Sequence, residues 1–209
     1  MTCPLCGAEA ADFCTAYQRR YLHCALCDLV FMHPADLPAA AEEKAEYDRH
    51  QNRPEDAGYR RFVAPLYESV RARLNPGAIG LDFGCGAGSA LMELFREAGY
   101  EVCGYDPFYE ARADRLERRY DFVVCSEAAE HFHRPAEAFK QMLGALKSGG
   151  VLGIMTAFRV SERPFESWHY VRDRTHTAFY SPRTFAFLAQ RFDLAPPQLG
   201  RNLALFSAP

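Results

Sequence analysis

The stretch LDFGCGAG, residues 81–88, follows the apolar segment AIG and places glycines at the alternate positions 84, 86 and 88. A glycine-rich turn directly after a strand lets the backbone approach a ligand closely, and N–H groups at the start of the following helix favour a carboxylate or phosphate. Asp106 ends the next predicted strand, where a carboxylate can accept hydrogen bonds from both ribose hydroxyls. The pattern therefore predicts a site for a nucleotide-like cofactor.

Strand and helix patterns alternate on both sides of this turn. The predicted strands are AIGLDFG, EVCGYD, FVVCSE and VLGIMTA, and the predicted helices between them are SALMELFREAG, PFYEARADRLERR and PAEAFKQMLGALKSGG. Such alternation implies right-handed crossovers and a parallel sheet, which binds ligands beyond the carboxyl ends of its strands. The tail reads as a helix, PRTFAFLAQRF, followed by FDLA and ALFSA. We therefore predict an α/β fold with a Rossmann-like, doubly wound, mostly parallel sheet and an antiparallel C-terminal hairpin.

Four of the eight cysteines form two identical pairs in the pattern C-x2-C-x17-C-x2-C, namely Cys3, Cys6, Cys24 and Cys27. Two such knuckles supply the four thiolates of a tetrahedral zinc site. The segment between the pairs shows strand-type alternation, so we predict a small N-terminal zinc ribbon with one structural zinc ion. A unit of about 30 residues has too small a core to fold without metal.

The composition limits the possible partners and locations. The chain has 209 residues, 49% hydrophobic and 24% charged, with a net charge of −3, which argues against general attraction to nucleic acid or anionic membranes. The start MTCPLCG lacks the features of a signal peptide, and no apolar run is long enough to span a bilayer. We expect a cytoplasmic protein divided into a zinc ribbon (1–34), a helical linker or lid (35–75) and a cofactor-binding domain (76–209).

Two cofactors fit the glycine turn and Asp106. The dinucleotide fingerprint is G-x-G-x-x-G, whereas this turn reads G-x-G-x-G and is preceded by Asp82, a carboxylate able to hold an ammonium group. This difference favours S-adenosylmethionine over NAD.

The motifs LDFGCGAG, GYDP, YDFVVCSEAAEHF and LKSGGVLGIMT, in this order over residues 79–156, resemble those of class I S-adenosylmethionine-dependent methyltransferases. The resemblance implies that the glycine turn holds the methionine part of the cofactor, that the acid after the second strand binds the ribose, and that residues after the fourth strand border the methyl group. The residues it implies are Asp82, Gly84, Cys85, Gly86, Asp106, Ser126 and Glu127. The CPLCG ribbon and the distal SWHYVRDRTHTAFYSPRTF are similar to a bacterial subgroup of small-molecule or uncharacterised methyltransferases.

The chain departs from the family pattern after Asp106. Only residues 107–120 separate it from the next strand, too few for the usual helix, third strand and helix. We expect the third strand to be missing or vestigial, together with the acidic residue that commonly meets the adenine amino group. Pro107 and Phe108 would then pack against the adenine.

Methyl transfer from a sulfonium needs positioning, a dry site and sometimes a base. The candidate catalytic residues are His131, His176 and Tyr180, and the candidate substrate contacts are His50, Tyr59 and Trp168. Each has a plainer interpretation: His131 as an anchor of its loop, His176, Tyr180 and Trp168 as packing within a long loop, and His50 and Tyr59 as part of a solvated connection.

Three functions remain open from the sequence. The first is methylation of O, N or C of a small molecule, and the second is RNA methylation with the ribbon positioning the substrate. Against RNA, the ribbon contains only Arg19 and Arg20 as basic residues beside three acidic ones. The third is a catalytically silent scaffold whose ribbon binds a protein. The sequence sets neither the acceptor atom nor the oligomeric state.

Overall fold

The computed structural model describes residues 1–49, 53–160 and 162–209. The strands are β1 Ala11–Ala16, β2 Arg19–His23, β3 Val30–Met32, β4 Ile79–Phe83, β5 Glu101–Tyr105, β6 Tyr120–Ser126, β7 Leu146–Met155, β8 Ala178–Phe179, β9 Gln198–Leu199 and β10 Leu203–Ser207. The helices are α1 Ala40–Tyr47, α2 Ala57–Arg71, α3 Ala90–Glu97, α4 Asp114–Glu117, α5 Pro135–Gly144 and α6 Pro182–Arg191. Among these described helices, none is long and apolar enough to cross a bilayer.

A six-stranded sheet forms the centre, in the order β5-β4-β6-β7-β10-β9. The strands β5, β4, β6 and β7 are parallel, and β10 runs antiparallel to both β7 and β9. The predicted fold class is confirmed. The terminal hairpin, however, is built from β9 and β10, and the predicted strand FDLA at 192–195 is not a strand. Those residues directly follow α6, where they lead the chain back to the sheet.

Helices cover both faces of this sheet. On β6, Phe122 and Val124 pack in one apolar cluster with residues of α2 and α3, whereas Val123 and Cys125 pack in a second cluster with residues of α5 and α6. Successive side chains of a strand point to opposite faces, so a strand buried on both sides is apolar throughout. This explains the uninterrupted apolar run FVVC in β6.

Between β5 and β6 the described chain contains only the short helix α4, so the predicted absence of a third strand is confirmed. As a result, β5 is the edge strand of the sheet. The helix predicted over 107–119 is therefore reduced to four residues. The open edge of β5 is covered by side chains. Arg96 donates to the carbonyl of Val102 at 2.9 Å, and Arg115 donates to that of Gly104. These bonds occupy carbonyl groups that would otherwise invite pairing with another chain.

The N-terminal ribbon is joined to the main domain through its own sheet. This antiparallel sheet has the order β1-β2-β3-β8, so its fourth strand comes from residues far along the chain. Asp28 adds a polar junction, because its carboxylate lies 2.7 Å from the Arg159 guanidinium and accepts a hydrogen bond from Ser181 Oγ at 2.5 Å. The ribbon predicted as a separate unit therefore shares a sheet with the main domain.

Candidate functional site

A cavity of about 820 Å³ lies at the carboxyl ends of β4, β5 and β6. Its walls are the glycine turn at 84–88, residues 105–109 after β5, residues 126–134 after β6, and parts of α1, α2 and α5. Open α/β sheets bind their ligands at this edge, and a cavity of this size fits a small molecule. The glycine turn thus opens onto a cavity, as the sequence predicts.

The glycine turn is held tightly between two neighbouring segments. Gly84 and Gly86 have φ angles of +82° and +61°, a region that favours glycine. The N–H of Gly84 donates to the carbonyl of Tyr105 at 2.7 Å, and a Cβ atom on Gly84 would lie 2.5 Å from the Ala128 Cβ. Because the N–H groups of Gly84 and Cys85 both bond to Tyr105, those two are not free for a ligand. The glycines of the turn therefore line the cavity with backbone atoms rather than side chains.

Asp82 lies behind the turn and does not line the cavity. Its side chain is 2% exposed and accepts a hydrogen bond from Ser89 Oγ, the residue that caps α3. Burial raises the pKa of the Asp82 carboxyl to about 6. The sequence suggests that Asp82 meets an ammonium group of the ligand, but its position here ties the end of β4 to the start of α3.

Asp106 connects the turn to the loop after β5. One carboxylate oxygen accepts the N–H of Gly86 at 3.0 Å, and the other accepts those of Phe108 and Tyr109 at 2.8 and 3.2 Å. Asp106, Pro107 and Phe108 all line the cavity. A single carboxylate therefore fixes two walls, and the oxygen that bonds to Gly86 keeps capacity to accept one further hydrogen bond.

Two predicted residues, Ser126 at the end of β6 and Glu127 directly after it, line the cavity. The buried Oγ of Ser126 has no hydrogen-bond partner in the described structure. Glu127 has a φ of +47°, unusual for a residue with a side chain and typical of strained functional positions. Burial, together with the charge of Glu130, raises the pKa of the Glu127 carboxyl to about 8. Both residues therefore present polar groups that a ligand would satisfy.

Two predicted histidines meet beside Glu130. The ring centroids of His131 and His176 are 4.8 Å apart, and both residues line the cavity. Nδ1 of His131 bonds to the carbonyl of Thr175 at 3.0 Å, and Nδ1 of His176 to that of Tyr170 at 2.7 Å. Burial lowers the pKa of His176. The structure thus brings together residues that are 45 positions apart in the chain.

Tyr180 and Trp168 are not brought to the cavity. Tyr180 is fully buried, and its hydroxyl donates to the carbonyl of Ala129 at 2.9 Å. Trp168 is 2% exposed and stacks on Tyr170 in the apolar cluster beneath the ribbon sheet. Both side chains are packed in this structure, and their roles in catalysis and substrate contact stay predictions. His50 lies outside the described residues.

Helix α1 closes one side of the cavity. Its Tyr47 lies with its ring centroid 5.1 Å from that of His131, and Glu43 lies 3.1 Å from Nε2 of His133. Tyr59 of α2, a predicted substrate contact, also lines the cavity. Glu43 was not predicted, because nothing in the sequence of a charged, alanine-rich helix marks which carboxylate is turned inward.

The four predicted zinc ligands form a compact cluster. The sulfur atoms of Cys3, Cys6, Cys24 and Cys27 all lie within 4.8 Å of one another. The Sγ atoms of Cys3 and Cys27 are 3.6 Å apart, and those of Cys6 and Cys24 are 3.4 Å apart. Four sulfurs bound to zinc at ~2.3 Å are separated by ~3.8 Å, so the donor set and its spacing fit this ion.

The fold and the cavity define an α/β domain of the Rossmann-like class with a ligand site at the carboxyl edge. The chain belongs to the methyltransferase domain family, whose model matches residues 47–199. No curated protein sequence matches it.

Solved structures agree with this fold. The 1,6-didemethyltoxoflavin-N1-methyltransferase of Burkholderia thailandensis, solved with 1,6-didemethyltoxoflavin and S-adenosylhomocysteine, is similar at a TM-score of 0.57 and 16% identity, covering 95% of this chain and 99% of that one. Streptomyces venezuelae DesVI is similar at a TM-score of 0.54 and 14% identity, covering 82% and 99% respectively.

Proposed function

We propose that the protein is an S-adenosylmethionine-dependent methyltransferase that acts on a small-molecule acceptor, with the cofactor bound in the cavity at the carboxyl edge. The observation that carries this proposal is the meeting of three elements in one cavity: the glycine turn, Asp106 with its loop, and the segment after β6. Asp106 would bind the ribose, and Pro107 and Phe108 would border the adenine. Ser126 and Glu127 would lie near the methyl group.

The charge of the cavity supports a cationic cofactor. Its lining includes the acidic residues Glu43, Asp106, Glu130 and Glu137, and the one arginine among the described lining residues, Arg134, lies 3.3 Å from Glu137. S-adenosylmethionine carries a sulfonium and an ammonium group, whereas NAD carries a pyrophosphate. An acidic cavity attracts the first and repels the second.

Two features favour a small acceptor over RNA. Glu43 and Tyr47 of helix α1 line one side of the cavity, whose volume of about 820 Å³ suits a small acceptor beside the cofactor. In addition, both arginines of the ribbon are engaged within the protein, since Arg19 donates to the carbonyls of Val171 and Asp173 and Arg20 is paired with Asp36. A ribbon without free cations is poorly suited to a phosphate backbone.

We also infer that the ribbon holds one structural zinc ion, bound by Cys3, Cys6, Cys24 and Cys27. All four protein ligands are thiolates, which closes the coordination sphere and is typical of structural rather than catalytic zinc. The metal would stabilise the three ribbon strands, whose core is small.

Calorimetric titration of the purified protein with S-adenosylmethionine, S-adenosylhomocysteine and NAD tests the cofactor. We expect micromolar binding of the first two compounds and no binding of NAD. A protein that binds neither sulfur compound is not an S-adenosylmethionine-dependent methyltransferase. Formation of S-adenosylhomocysteine is then measured with small hydroxyl, amine and carbon acceptors and, separately, with RNA. Turnover of RNA alone would contradict the proposed acceptor class.

A further inference from the structure

We propose that Glu130, His131 and His176 form a binding site for a divalent transition-metal ion, distinct from the cysteine cluster of the ribbon. One ligand atom from each of these three residues lies within 4.8 Å of the other two. Two ligands bound to a metal at ~2.1 Å lie ~3–4 Å apart, so only small side-chain rotations separate this arrangement from a coordination sphere. Two imidazoles and one carboxylate are a donor set typical of Zn²⁺ and Fe²⁺ sites.

The buried carboxylate of Glu130 supplies the first argument. The residue is 0% exposed; Oε2 accepts a hydrogen bond from Thr156 Oγ1 at 2.9 Å, whereas Oε1 is buried without a partner in the described structure. Among the described ion pairs, none joins Glu130 or Glu127 to a lysine or arginine. A buried acceptor without a partner costs free energy, and a bound cation would remove that cost.

The two histidines supply the second argument. A backbone carbonyl only accepts hydrogen bonds, so Nδ1 of His131 donates to Thr175 and Nδ1 of His176 donates to Tyr170. In the neutral rings, the lone pair is therefore on Nε2. Metal-binding histidines show the same arrangement, in which the second ring nitrogen donates to a carbonyl or carboxylate that fixes the tautomer.

The position of the site supplies the third argument. All three residues line the 820 Å³ cavity, so the remaining coordination positions face its interior. Three protein ligands with an open position are typical of catalytic rather than structural metal sites. In a role that rests on the proposed function, the ion would hold an oxygen of the acceptor and lower the pKa of a bound hydroxyl. The metal site itself does not depend on that role.

Titration with Co²⁺ of protein that carries one zinc ion per chain, confirmed by elemental analysis, tests the inference by absorption spectroscopy and equilibrium dialysis. We expect one Co²⁺ per chain without a sulfur-to-cobalt charge-transfer band, because the thiolates already hold zinc. Glu130→Gln and His131→Gln should each weaken Co²⁺ binding at least ~10-fold. His133→Gln is the matched control: His133 lines the same cavity but pairs with Glu43, so this variant should bind Co²⁺ like the wild type.

The wild-type protein can overturn the inference whether or not the variants fold, and the variants locate the site. Absence of Co²⁺ binding, or binding only with a thiolate band, would overturn the inference, as would equal affinities in folded Glu130→Gln and His133→Gln proteins. Titration with S-adenosylmethionine is run in parallel. Metal binding without cofactor binding would refute the proposed function and leave the metal site standing, and the reverse result would refute the site alone.

Discussion

Replacing Asp106 by asparagine should strongly destabilise the protein and weaken cofactor binding, although the two side chains have nearly the same shape. Both carboxylate oxygens of Asp106 accept backbone N–H groups, from Gly86 on one side and from Phe108 and Tyr109 on the other. An asparagine amide has one acceptor and one donor group, so in either orientation its NH₂ faces an N–H. At least one hydrogen bond is lost, and the others lose their charge assistance.

The magnitude follows from these bonds. A hydrogen bond to a charged group contributes about 1.5–3 kcal/mol, and the nearly buried carboxylate has little water to replace it. Asp106→Asn should therefore lower the free energy of unfolding by about 2–4 kcal/mol. For a chain of this size, a loss of that order lowers the melting temperature by roughly 5–15 °C.

Thermal unfolding and calorimetry together separate the two roles of Asp106. Asp114→Asn is the control, because Asp114 is exposed and its pairing with Arg112 is at the surface. If Asp106→Asn has the same melting temperature as Asp114→Asn, Asp106 does not anchor the two cavity walls through its hydrogen bonds. If the folded variant binds S-adenosylmethionine as tightly as the wild type, the ribose assignment is wrong; a loss of at least ~10-fold is expected from a missing charge-assisted bond.

Three further predictions concern the turn, the ribbon and a buried acid. Gly84→Ala should cost ~1–3 kcal/mol more stability in urea than Gly86→Ala, because both place alanine at positive φ but only the first meets a Cβ at 2.5 Å; equal losses would contradict this packing. Cys27→Ser should remove one equivalent of zinc and lower the melting temperature, whereas Cys14→Ser, outside the cluster, should keep that zinc; elemental analysis distinguishes them. Burial raises the pKa of Asp82 to about 6. The free-energy cost of burying the ionised carboxylate is therefore absent below pH ~4, grows between pH ~4 and ~6, and is constant above that range. The stability of the wild type relative to Asp82→Asn should then fall by up to ~3 kcal/mol between about pH 4 and pH 7, and a flat difference would refute the burial argument.

The sheet and the location of the site were predictable because their signals are local. Apolar runs such as FVVC in β6 and the glycine turn after β4 depend on a few adjacent residues. The missing third strand was also predictable, since it is a matter of chain length between Asp106 and β6. The way the resulting edge is covered was not, because Arg96 and Arg115 reach the carbonyls of β5 from different helices.

The composition of the site was only partly predictable. Glu130 and His131 are neighbours in sequence, but their relation to His176 depends on how a long loop returns to the cavity. The glycine motif predicts a ligand contact for Asp82 but does not predict its hydrogen bond with Ser89, which depends on how α3 packs against β4. A motif fixes the backbone near a site, while packing decides which side chains face the ligand.

The same loop connects the ribbon to the cavity. The N–H of Met32 in β3 donates to the carbonyl of Thr177 at 2.8 Å, and the N–H of Thr177 donates to the carbonyl of Glu130 at 2.7 Å. Strand β8 begins at the next residue and pairs with β3. His176 is therefore held at the point where the ribbon sheet and the segment after β6 meet. Because a unit of three short strands has a small core, we expect the folding of the ribbon and the position of His176 to depend on each other. The ribbon would thus influence the position of His176 in the cavity through backbone hydrogen bonds rather than through a contact with the ligand.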